Sequence, residues 1–109
     1  MSEAAEQAVL IQWCQYKKIP IFAIPNGGSR HPLEAVNLKR QGVKPGVPDL
    51  FLPFSRNGKH GLFIEMKYGR NKPSEQQKEW LAYLDGAGYK TAVCYSFEEA
   101  RRTIEDYVK

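Results

Sequence analysis

Asp49, Glu65 and Lys67 are the residues whose types and spacing could do chemistry in this chain. Asp49 lies in Gly46-Val47-Pro48-Asp49-Leu50-Phe51-Leu52, and the other two lie in Leu62-Phe63-Ile64-Glu65-Met66-Lys67. Each segment reads as a short apolar strand, with a polar turn between them. Strand side chains alternate faces, so Glu65 and Lys67 project together while Leu62, Ile64 and Met66 point the other way, towards a core. Asp49 opens the first strand, with Pro48 restricting the backbone just before it. Two neighbouring carboxylates form a hard oxygen site suited to Mg²⁺ or Mn²⁺, which also takes water and phosphate oxygens. Such an ion polarises a phosphodiester and acidifies a bound water. A lysine beside it orients that water or offsets charge building on phosphorus.

The elements that must position these groups follow from periodicity and punctuation. Ser2 to Lys17 reads as an amphipathic helix through Ala5, Val9, Leu10, Trp13 and Cys14. A β-prone run from Ile19 to Ile24 follows and stops at Pro25-Asn26-Gly27-Gly28. Pro32 suits the first position of a helix to Gln41, with Gly42 as its stop. That helix offers only Leu33, Val36 and Leu38 for packing, so it is weak. In the hairpin, Asn57-Gly58 supplies the positive backbone dihedrals of a tight turn. Ser74 and Gln77 form a capping-box signature for a helix carrying Trp80, Leu81 and Leu84 inward and ending at Gly86 or Gly88. Tyr89 to Tyr95 is the fourth strand. Ser96 with Glu99 caps a last helix packed through Phe97, Ala100, Ile104 and Val108. The order α-β-α-β-β-α-β-α implies an α/β fold with a four-stranded mixed sheet flanked by helices.

Composition bounds the function classes. The 109 residues, 42% hydrophobic and 12% aromatic, suit a single stand-alone domain over 1–109 with a real core, which excludes a disordered chain. A net charge of +4, with a basic stretch from Arg30 to Lys59 broken only by Glu34 and Asp49, is compatible with a nucleic-acid partner. Cys14 and Cys94 stand far apart in apolar surroundings and read as buried thiols of a reducing, cytoplasmic compartment. No apolar run approaches bilayer length and no signal-peptide pattern opens the chain, so no membrane partner is expected.

Val47-Pro48-Asp49 with Glu65-Met66-Lys67 sixteen residues on resembles the signature of the PD-(D/E)xK nuclease superfamily. The surroundings resemble its VRR-NUC (virus-type replication-repair nuclease) family in particular. They are an N-terminal helix with Glu3 and Gln7, Gly46-Val47-Pro48-Asp49-Leu50, Glu65-Met66-Lys67, Ser74-Glu75-Gln76-Gln77, and the Ala87-Gly88-Tyr89 turn. The resemblance covers essentially the whole chain. It implies a PD-(D/E)xK nuclease-like core holding Mg²⁺ (or Mn²⁺) on Asp49, Glu65 and the Met66 carbonyl, with Lys67 as the catalytic lysine. The acid on the first helix falls best on Glu3, with Glu6 as competitor one turn on. Gln76 and Gln77 both suit the site glutamine. Capping gives Gln77 a structural job, so Gln76 is expected to face the site. The implied activity is hydrolysis of DNA, branched as a four-way junction or flap, by a homodimer. A viral (phage) or a bacterial genome would both fit.

Singly, each residue also has an ordinary reading. Glu65 and Lys67 could be a solvated salt pair, Asp49 a turn cap, and Glu3 and Glu6 partners of a helix dipole. Asn26 to Arg30 is a turn whose amides, with Arg30, could hold a DNA phosphate. Lys39, Arg40, Lys44, Arg56, Lys59, Arg70 and Lys72 form a basic rim, solvated or meeting DNA. His31 and His60 read as surface residues outside any metal-binding or base-nucleophile constellation. The alternative function is a non-catalytic DNA-binding or assembly module on the nuclease fold. A restriction-type enzyme would need more recognition loops than this length leaves.

Overall fold

The computed structural model describes residues 2–25 and 31–109. Helix α1 (Glu3–Lys17) starts where Ser2 accepts the Ala5 N–H at 3.1 Å, with Glu3 and Glu6 in the first turn to complement the dipole. It ends at Lys18, which takes the left-handed conformation with φ 60°. Strand β1 is only Phe22–Ala23, shorter than the Ile19–Ile24 expectation. Pro20 has no N–H to donate, and the Ile21 N–H turns back to the Ile19 carbonyl at 2.9 Å, so pairing begins only at Phe22. Helix α2 (Pro32–Arg40) has His31 as its cap and buries no residue, with Leu33 and Val36 exposed.

Strands β2 (Leu50–Leu52) and β3 (Leu62–Met66) pair antiparallel, with Leu50 opposite Ile64. The tight turn between them forms as the Asn-Gly dipeptide demands, with φ 53° at Asn57 and 77° at Gly58. Helix α3 (Glu75–Gly86) carries the full capping box of Ser74 and Gln77. Strand β4 (Lys90–Cys94) runs parallel to β3, and helix α4 (Phe97–Val108) closes the order α-β-α-β-β-α-β-α. The sheet order is β1-β2-β3-β4, mixed, as the sequence pattern implies.

Alternation sorts the two faces. Leu50, Leu52, Leu62, Ile64, Met66 and Cys94 are buried against Leu10 and Cys14 of α1 and Ala100, Ile104 and Tyr107 of α4. Truncating one of these leucines to alanine costs about 2–5 kcal/mol by the usual scale for a collapsed-core cavity. The opposite face carries Phe51 stacked on Phe63 at 4.4 Å between centroids, and beside them the carboxylate of Glu65. Helix α3 packs on β4 and buries Leu84; Trp80 and Leu81, expected inward, are half-buried. Among the described residues, no helix is long and apolar enough to cross a membrane.

Candidate active site

Backbone pairing fixes Asp49. Its carbonyl accepts the Ile24 N–H at 2.7 Å, and its carboxylate Oδ2 accepts the Met66 N–H at 2.7 Å. The first bond ties Asp49 to the end of β1, and the second holds its side chain against β3. Pro48, buried, sets the approach.

Glu65 is 2% exposed, although it is a carboxylate in mid-strand. Its Oε2 accepts from Gln77 Nε2 at 3.2 Å. Its Oε1 is buried with no hydrogen-bond partner among the described residues. Burial first, then the Asp49 carboxylate beside it, push the Glu65 carboxyl up to about 8, with Lys67 pulling the other way. Desolvation and the same Asp49 charge also raise Glu3, again opposed by Lys67. Glu3, Asp49, Glu65 and Lys67 therefore share one electrostatic site, in which three carboxylates outweigh one ammonium. Lys67 is held by its own N–H, which donates to the Cys94 carbonyl at 2.9 Å.

A hard divalent cation would remove both the orphaned oxygen and the carboxylate repulsion. Among the described residues, no three His, Cys, Asp or Glu side chains stand close enough to hold an ion on their own. Asp49 and Glu65, with backbone and external oxygens, would suit Mg²⁺ or Mn²⁺, which keep water and phosphate oxygens among their ligands. The residues fit the group.

The other expected positions divide. Glu6, the competitor of Glu3, accepts the Phe97 N–H at 2.9 Å and so anchors the start of α4. Gln76 is corrected by its placement: it is exposed on α3 and lines a cleft with Lys44, while Gln77 reaches Glu65. Capping does not exclude a second role, because an amide has two ends: Gln77 Oε1 accepts the Ser74 N–H and Nε2 donates to Glu65. Arg70 and Lys72 are exposed on the loop from β3 to α3. Asn26 and Arg30 lie outside the described residues. A groove of about 680 Å³ runs from Asp49 and Glu3 past Gln7 and Ile11 of α1 and along Ile24.

The family model described as the VRR-NUC domain matches residues 1–98. This chain belongs to the VRR-NUC family. The VRR-NUC match spans Glu3, Asp49, Glu65, Lys67 and Gln77, every side chain gathered at the site. A solved structure described as a VRR_NUC domain protein superposes with a TM-score of 0.86 at 30% identity, covering 99% of this chain and 88% of that one. No curated protein matches the sequence. A VRR-NUC domain is a nuclease-type domain, which makes DNA the implied substrate.

Proposed function

We propose that the chain is a Mg²⁺- or Mn²⁺-dependent endonuclease that hydrolyses phosphodiester bonds in branched DNA, a four-way junction or a flap, in replication, repair or recombination. The observation that carries this reading is Glu65: a buried carboxylate, one oxygen unpartnered, set beside Asp49. Burying an unsatisfied polar atom costs about 1–3 kcal/mol, so a purely structural position would favour another residue. A divalent ion held by Asp49, Glu65 and the Met66 carbonyl would polarise the phosphodiester and acidify the attacking water.

The chain's own residues supply the rest. Lys67 offsets the negative charge that develops on the phosphate oxygens. Gln77 fixes the Glu65 carboxylate, and the Met66 N–H fixes that of Asp49, so neither must reorganise on loading. Water adds to phosphorus, the bond to the 3′-oxygen breaks, and that oxygen leaves with a proton, giving a 5′-phosphate and a 3′-hydroxyl. Cutting a junction at two symmetric positions requires two copies, so the working form is a homodimer.

The test is cleavage of a labelled four-way junction, a flap and a plain duplex with Mg²⁺, Mn²⁺ or EDTA, by wild type and Lys67→Ala. Metal-dependent cutting of the branched substrates, lost in the variant, is the expected result. Binding without cutting under every metal would make the chain an assembly module instead.

A further inference from the structure

The cleft that receives Gln76 has a composition unlike the carboxylate site next to it. It has a volume of about 540 Å³ and is lined by Lys44, Pro45, Gln76, Glu79, Trp80 and Tyr83. Trp80 and Tyr83 meet edge to face, with centroids 5.9 Å apart and planes at 87°, forming an aromatic corner. Trp80 is half-buried, and Tyr83 is 68% exposed. Both walls lead into the site. One wall is α3, where Gln76 faces the cleft and the next residue, about 100° round the helix, holds Glu65. The other is the loop through Lys44 and Pro45, which reaches Asp49 within a few residues. Gly46 seals the two walls together: a Cβ there would stand 2.7 Å from the Gln76 carbonyl carbon.

We propose that this cleft is a stacking subsite for one unpaired base of the DNA strand whose phosphodiester lies at Asp49 and Glu65. The inference rests on the nuclease reading and deepens it. Every base has a π-face that an aromatic ring accepts, so such a subsite tolerates sequence while requiring that the base be unpaired. The Glu79 carboxylate repels a phosphate and accepts N–H groups from a base edge, which favours the base as occupant. Lys44, on the loop wall, brings positive charge to the adjoining backbone. The cleft, at about 540 Å³, is large enough for a nucleobase. A subsite of this kind selects flaps and single-stranded segments over intact duplex without reading sequence.

The chain has two tryptophans, so Trp13→Phe leaves Trp80 as the sole indole. In EDTA, this protein is titrated with a short oligothymidylate and with an abasic strand of equal length and charge. The expected result is saturable quenching of Trp80 by the oligothymidylate and about tenfold weaker binding of the abasic strand, the scale of one stacked base. Tyr83→Ala in the wild-type background changes an exposed ring. By anisotropy of labelled strands it is expected to lower oligothymidylate affinity to that of the abasic strand. Unchanged Trp80 emission at saturation, equal binding of the two strands, or free thymidine binding as tightly as the strand would overturn the proposal. Quenching in EDTA does not require cutting, so the subsite survives a failed cleavage assay. Cleavage with a silent Trp80 leaves the nuclease reading intact and removes the subsite.

Discussion

The side-chain amide of Gln77 joins the start of α3 to the buried carboxylate of Glu65. Nε2 donates to Glu65 Oε2 at 3.2 Å while Oε1 accepts the Ser74 N–H at 2.8 Å. Gln77→Glu separates these two functions. Glutamate at this position still closes the capping box, so helix α3 should form normally by circular dichroism. It replaces the donor to Glu65 with a second negative charge. Cleavage should fall by about 10–100-fold, the usual effect of removing a group that orients a metal ligand. Full activity in Gln77→Glu would show that the bond to Glu65 does not matter.

Glu65 makes the metal-free fold less stable in alkaline solution. Its folded carboxyl titrates near 8 against an ordinary 4.5, so between those values the folded protein holds more protons than the unfolded chain. The stability this contributes is complete below 4.5 and is lost as pH rises through about 8. In EDTA, the urea midpoint should therefore fall across that window. Glu65→Gln should flatten the profile and, at its alkaline end, stabilise the protein by about 1–3 kcal/mol while abolishing cutting. A steeper profile in the variant would contradict the assignment.

Gly46 sits at φ 90°, with the backbone of Gln76 where its side chain would be. Gly46→Ala adds backbone strain to a direct clash, and should destabilise by about 1–3 kcal/mol in denaturant melts. Cleavage should fall as well, because the displaced loop leads to Asp49. A variant as stable as wild type would mean that the loop can lift off α3 without cost.

Glu3 and Glu6 should separate by what their loss affects. Glu6→Ala leaves the Phe97 N–H without its acceptor and should cost about 1 kcal/mol of stability, with cutting retained. Glu3→Gln removes a carboxylate from a crowded negative site, so stability should hold or rise while cutting drops. Paired thermal melts and cleavage rates on the two proteins decide the matter, and the reverse pattern would exchange their assignments.

The fold was legible in the sequence because its strongest signals are local. Alternation in Leu62-Phe63-Ile64-Glu65-Met66, the Asn57-Gly58 turn and the caps at Ser74 and Ser96 each state an element or its boundary. What was hidden depends on tertiary contacts. β1 is short because Pro20 has no N–H to give and the Ile21 N–H turns back to the Ile19 carbonyl. The burial of Glu65 depends on neighbours from other elements, the Gln77 amide of α3 among them, which no strand pattern specifies. Tyr107 was missed as a core residue because its hydroxyl finds the Phe54 carbonyl, a partner 53 positions away. The Ser74–Gln77 spacing states the cap, while the donor end of the same amide meets Glu65 only through the tertiary fold.

Mn²⁺ binding followed by electron paramagnetic resonance tests the central claim most directly, because it reads the paired carboxylates before any DNA is cut. Wild type and Lys67→Ala should both bind the ion, since the lysine acts on the substrate. Asp49→Asn and Glu65→Gln should each lose it. Undiminished Mn²⁺ binding in either carboxylate variant would contradict the assignment of these two residues as the metal centre.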